Sequence, residues 1–185
     1  LSAIEMFLNN QGILISSATI SRMLIHNIEN FHQEKQNIVD SGLSSSIYQQ
    51  MDDTGAKEKG KNYYSHILCN EFYTAYFTKK SKTRLEIINI LTQGNLTFCF
   101  NEKAYLIMQQ MKLPNKYLSR LKSQPKDKVL TRTESNELLN ELFPLLKDKS
   151  SSRKVILDAS AIAAYQQLDT AAQILLTDDA PQFGS

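Results

Sequence analysis

Beyond residue 46 the hydrophobic period changes to two, and this constrains the fold more than any other feature of the chain. Residues 47–52, 62–69 and 73–78 are rich in Tyr, Phe and Ile and read as three strands. Lys57-Glu58-Lys59-Gly60-Lys61 joins the first two as a polar turn, and Asn70-Glu71 joins the second to the third. Parallel neighbours need a crossover of about a dozen residues or more, so links this short dictate an antiparallel meander. Thr83-Arg84-Leu85-Glu86 then carries a capping-box signature, opening a helix that buries Leu85, Ile88 and Leu91 and stops before Gly94. Residues 155–168 read as another helix, with Ala159, Ile162, Ala163 and Gln166 at helical spacing, and 172–177 as a short apolar strand. A strand reached through a helix can lie parallel beside the first. The expected class is therefore α/β, with a mixed sheet of three antiparallel strands and a parallel fourth.

Two of these strands run into paired aspartates. The first continues as Met51-Asp52-Asp53-Thr54-Gly55 and the last as Leu176-Thr177-Asp178-Asp179. A lone Asp-Asp doublet is usually a solvated strand-end turn. Two doublets on strands that lie side by side bring carboxylates together, and such groups repel and are costly to desolvate unless a cation joins them. With oxygen ligands alone the cation is Mg²⁺ or Mn²⁺, and the chemistry that follows is phosphoryl transfer. Alternation along the first strand puts Tyr48, Gln50 and Asp52 on one face.

The flanking segments read differently. Residues 1–43 form an N-terminal helical segment: Ile4, Phe7 and Leu8 make one stripe, Asn9-Asn10-Gln11-Gly12 breaks it, and Ser16-Ser17-Ala18-Thr19 caps a second helix with Ile20, Met23, Leu24 and Ile28 inward. Helix, turn and capped helix match both a helix-turn-helix and an ordinary packed hairpin. Ser41-Gly42-Leu43-Ser44-Ser45-Ser46 reads as a linker before a core of residues 44–185. Within that core, about 95–154 reads as a helical insertion, with helices at 101–111, 115–122 and 133–143 separated by Pro114, Pro125 and Pro144, and a charged loop at 147–154.

Net charge is only +2, which argues for no class of partner, but its distribution is uneven. Lys112, Lys116, Arg120, Lys122, Lys126, Lys128 and Arg132 are opposed only by Asp127, a run suited either to DNA phosphates or to a solvated helical surface. Tyr117 and Phe143, within the same segment, read as core groups rather than base-stacking ones. Cys69 and Cys99 sit in apolar strand-like surroundings and read as reduced structural thiols of a cytosolic protein, while His26, His32 and His66 have no zinc-ligand spacing. No apolar run approaches the roughly 18–20 residues that span a membrane, and no signal peptide is visible. A first residue of Leu1 rather than Met suggests missing upstream sequence.

Met51-Asp52-Asp53-Thr54-Gly55-Ala56, the turn ending in Gly60-Lys61-Asn62, Tyr73-Thr74-Ala75-Tyr76-Phe77-Thr78 and Leu176-Thr177-Asp178-Asp179-Ala180-Pro181-Gln182-Phe183 together resemble the DDE transposases of bacterial insertion sequences, most closely the insertion sequence sixty-six family. The resemblance covers about residues 14 to 183. It implies a ribonuclease H-like core, catalytic and metal-binding roles for Asp52 and Asp178, and turn-forming or supporting roles for Asp53 and Asp179. It also implies two Mg²⁺ (or Mn²⁺) ions, double-stranded DNA at transposon ends and targets as substrate, a homo-oligomeric assembly and a bacterial cytoplasmic, nucleoid-associated setting. The family's third acid is a glutamate on a helix after a fifth strand. Glu86, Glu102, Glu134, Glu137 and Glu141 all precede Asp178, so none takes that place, and the chain is expected to be a transposase fragment with little cleavage activity. A ribonuclease H-like nuclease and a non-catalytic DNA-binding or assembly module on the same fold are the rival readings.

Overall fold

The computed structural model describes residues 1–26, 28–124, 128–169 and 172–178. They form two compact units, 1–41 and 42–185. In the first, α1 (Ser2–Asn10) and α2 (Ser17–Ile25) make a helical hairpin. The Ser16 hydroxyl caps α2 by accepting from Thr19 N, Asn9 Oδ1 accepts from Ile15 N, and Ser17 Oγ donates to Glu5. Of the stripe expected on α2, Ile20 is buried while Met23 and Leu24 are exposed.

α3 (Glu29–Ser45) runs straight through the segment expected to be a linker. Gly42 is tolerated there because the space its side chain would take is filled: a Cβ on Gly42 would overlap the Tyr73 ring. A buried polar knot holds this helix end to the sheet. Gln49 Nε2 and Asn70 Nδ2 both donate to Gly42 O, at 3.2 and 3.0 Å, and Tyr73 OH donates to Gln49 Oε1 at 2.9 Å. Burial holds the Tyr73 phenol above its ordinary pKa.

The meander is β1 (Tyr48–Glu58), β2 (Lys61–Cys69) and β3 (Thr74–Lys79), antiparallel in sequence order. β1 is longer than its apolar pattern, pairing with β2 from Gln50↔Cys69 to Glu58↔Lys61. The turn is only Lys59-Gly60, both at positive φ (48° and 77°), as a two-residue hairpin favours. Asp52 therefore lies inside a strand, not at its end. The far half of this hairpin is solvated and polar, held by its backbone ladder, so hydrophobic period could not reveal it.

After α4 (Arg84–Leu91), the segment 95–154 is not wholly helical: β4 (Phe98–Cys99) and β5 (Val129–Leu130) pair antiparallel in a separate small sheet. α5 (Glu102–Gln110), α6 (Asn115–Lys122) and α7 (Arg132–Leu142) surround it. α8 (Ser151–Tyr165) begins inside the stretch expected as a charged loop, because Ser150 caps it and Arg153 turns inward. That guanidinium is 1% exposed and is satisfied by Asn140 Oδ1 at 2.8 Å, Asn136 O and Oδ1 at 3.2 and 3.1 Å, and Asp148 at 3.4 Å. Ile88, Phe98, Tyr105, Met108, Leu121, Leu139 and Ile156 meet in one core, each contributing roughly 1.5–3 kcal/mol of burial. Cys99 is buried and Cys69 half-buried, both as free thiols.

α8 leads to β6 (Ile174–Leu176), which lies parallel to β1. The main sheet is thus a four-stranded mixed sheet in the order β3-β2-β1-β6, as expected. Among the described residues no helix is long and apolar enough to cross a membrane.

Candidate metal centre

Strand alternation decides which aspartate of the first doublet is presented. Gln49 and Met51 turn to the buried face of β1, while Gln50 and Asp52 point outward. Asp53 falls on the covered side, opposite His66 of β2, with its side chain only 5% exposed and its Oδ1 3.4 Å from Lys82 Nζ. It belongs to the strand and not to a turn. Asp52 remains exposed, its Oδ1 accepting from Asp53 N at 2.7 Å.

The second doublet is positioned by the parallel ladder. Tyr48, Gln49 and Gln50 pair with Ile174, Leu175 and Leu176, and two residues further in the same direction come Asp52 and Asp178. The ladder itself ends at Gln50 and Leu176. Neighbouring strands run about 4.8 Å apart, so only a continuation of this register past Leu176 would set Asp52 and Asp178 level. Asp178 is exposed; Asp179 lies outside the described residues.

An exposed carboxylate on β1 and another two residues past the end of β6 suit a Mg²⁺ or Mn²⁺ ion, since Mg²⁺ is commonly held by one or two carboxylates and keeps several waters. Among the described residues no group of three or more His, Cys, Asp or Glu side chains converges. Glu71, which the sequence did not single out, accepts a hydrogen bond from Tyr48 that lowers its carboxyl pKa and raises that of the phenol. Tyr48 is four residues from Asp52, about 13 Å along the strand, so Glu71 joins no site with it.

The basic run separates. On α6, Lys116 and Arg120 are one turn apart, their cations over the Tyr117 and Phe143 rings at 4.9 and 5.7 Å, and those rings pack edge to face. Lys122 lies over Tyr105, and Lys112 follows α5 at a positive φ of 58°. Lys128 lines a cavity with Glu134, Glu137 and Glu141, where acids answer its charge. Arg132 opens α7 with its guanidinium over Phe98, and burial lowers its pKa. Lys126 lies outside the described residues.

No protein-family model, curated protein or solved structure matches this chain.

Sequence reading also missed Asp158, a buried carboxylate on α8. Its neighbours Arg84 and Lys154 are 74 and 4 positions away, so only the first-turn spacing to Lys154 was legible.

Proposed function

We propose that the chain carries the first two carboxylates, Asp52 and Asp178, of the phosphoryl-transfer centre of a DDE transposase with a ribonuclease H-like core, acting on double-stranded DNA. One observation carries the reading: β6 lies parallel beside β1 in a register whose continuation sets Asp178 level with Asp52. The strand order β3-β2-β1-β6, an antiparallel meander flanked by a parallel strand, is the order that this fold requires of its first four strands. When bound, Mg²⁺ or Mn²⁺ supplies activation of a water or 3′-hydroxyl and stabilises the leaving oxygen. The protein's part is to hold Asp52 and Asp178 outward on rigid backbone, with Asp53 and Lys82 bracing the strand beneath. Lys116 and Arg120 on α6 are the cations best disposed for DNA phosphates, and the working assembly is a homo-oligomer.

Two carboxylates hold the ion weakly and leave DNA uncut. Titration with Mn²⁺, followed by water-proton relaxation, tests this. Asp52→Ala and Asp178→Ala are each expected to weaken binding about tenfold, a loss of about 1.4 kcal/mol. Equal Mn²⁺ affinity in both variants and the unmutated chain would favour a non-catalytic module. Strand transfer by the chain alone in Mg²⁺ or Mn²⁺ would overturn the expected shortfall.

A further inference from the structure

A cavity of about 600 Å³ opens where the loop leading into α4 meets the start of α8, and neither Asp52 nor Asp178 lines it. Four cations stand on its wall: Lys80, Lys82, Arg84 and Lys154. Two helices begin there, α4 at Arg84 and α8 at Ser151, and residues of both first turns line it, where helix starts carry unpaired amides and the positive end of the dipole. The N-cap residue of α4, Thr83, makes no side-chain cap bond, whereas Ser150 caps α8. Opposed to these cations is one carboxylate among the described residues that line it. Asp158 lines the cavity, is 2% exposed, and its Oδ1 has no hydrogen-bond partner among the described residues.

A buried carboxylate oxygen without a donor is costly, and such sites in folded proteins call for an explanation. Cations and helix starts suit a phosphate; the carboxylate suits a hydroxyl or N–H on the same ligand. Tyr64 and Met111 also line the cavity, with the Lys82 ammonium 5.7 Å from the Tyr64 ring centre and Arg84 donating to Met111 Sδ at 3.8 Å, and the volume lies within the roughly 300–1,000 Å³ of small-molecule sites. We propose that this cavity binds one nucleotide unit, its phosphate held by Lys80, Lys82, Arg84 and Lys154 at the starts of α4 and α8, and a hydroxyl or N–H of its sugar or base donating to Asp158. A free nucleotide and a nucleotide within a DNA strand present the same chemistry. The site does not rest on the metal reading, because it shares no carboxylate with it.

Titration of the full chain with thymidine 5′-monophosphate, followed by amide NMR, tests the inference. The amides of Ser81, Thr83 and Ser151 are expected to shift, and thymidine at the same concentration to leave them in place. Lys80→Ala combined with Lys154→Ala removes two exposed cations, so the circular dichroism spectrum should be unchanged while affinity falls about tenfold or more. Single-stranded octathymidylate that displaces the monophosphate at lower concentration assigns the site to a strand; weaker displacement assigns it to a free nucleotide. Unmoved amides, shifts reproduced by thymidine, or undiminished affinity in the double variant would overturn it. Asp52→Ala and Asp178→Ala should retain nucleotide binding, so failure of the metal reading and failure of this one remain separable.

Discussion

Asp158 is a carboxylate with only 2% of its surface exposed, and burial raises its pKa although Arg84, Lys154 and Arg132 pull the other way. The folded chain then holds this proton more tightly than the unfolded one. The stabilisation that follows is complete below the unfolded pKa and is lost as pH rises through the folded value. Asp158→Asn should therefore melt higher than the unmutated chain at pH 7, with the two curves converging near about pH 4, where an unfolded Asp titrates. A lower melting point at pH 7, followed by circular dichroism, would show that the cations and not burial decide its charge. Gly42 gives a test of opposite sense. Alanine in a helix is favoured over glycine by about 1 kcal/mol, yet the added methyl would overlap the Tyr73 ring. Tyr73 is held in place by its bond to Gln49, which a retreat of the ring would strain. Overpacking of this kind costs about 1–3 kcal/mol, so Gly42→Ala is expected to lower the urea midpoint. An unchanged midpoint would mean that the ring moves freely.

Local signals at the element scale were reliable where a side chain and its partner were close in sequence. Ser16 caps α2 as read, and Asn115–Lys122 forms α6 with the expected bounds. The capping box, however, formed at Thr131 and Glu134 and not at Thr83 and Glu86. Thr131 Oγ1 accepts from Glu134 N and its backbone N–H donates to Glu134 Oε2, which holds that carboxyl below its usual pKa. Glu86 is instead 3.8 Å from Lys79 of β3, a partner that tertiary structure supplies. The basic run behaves similarly. The six of its charges that lie among the described residues take different surroundings: Lys116 and Arg120 over aromatic rings on α6, Lys122 over Tyr105, Lys112 after α5, Lys128 beside glutamates and Arg132 over Phe98. If α6 contacts DNA, Lys116→Ala and Arg120→Ala should each reduce the slope of log affinity against log salt by about 1. Lys128→Ala, already faced by glutamates, should leave it nearly unchanged. Equal effects from all three would argue for diffuse attraction with no preferred face.

For the molecule as a whole, the order of strands was legible because connection length limits pairing: two short links force a meander, and a helical return permits a parallel neighbour. The alternation that buries Met51 and exposes Asp52 was legible for the same local reason, since successive side chains on a strand take opposite faces. Other features depended on residues far apart in the chain. The solvated extension of β1 to Glu58 rests on pairing with β2, and the β4–β5 ladder joins residues about thirty positions apart with only two on each side. Helix α3 runs through Gly42 because Tyr73 packs there, and α8 starts early because Asn136 and Asn140 satisfy Arg153. Sequence alone determined the class of sheet and the outward aspartate, both set by periodicity and short-range geometry. Tertiary structure alone decided that Asp53 is bound to Lys82, that the strand before Asp178 pairs with Tyr48, Gln49 and Gln50 of β1, and that four cations share a cavity with Asp158. Such long-range contacts leave no pattern in the chain, because each partner's local sequence is compatible with many neighbours.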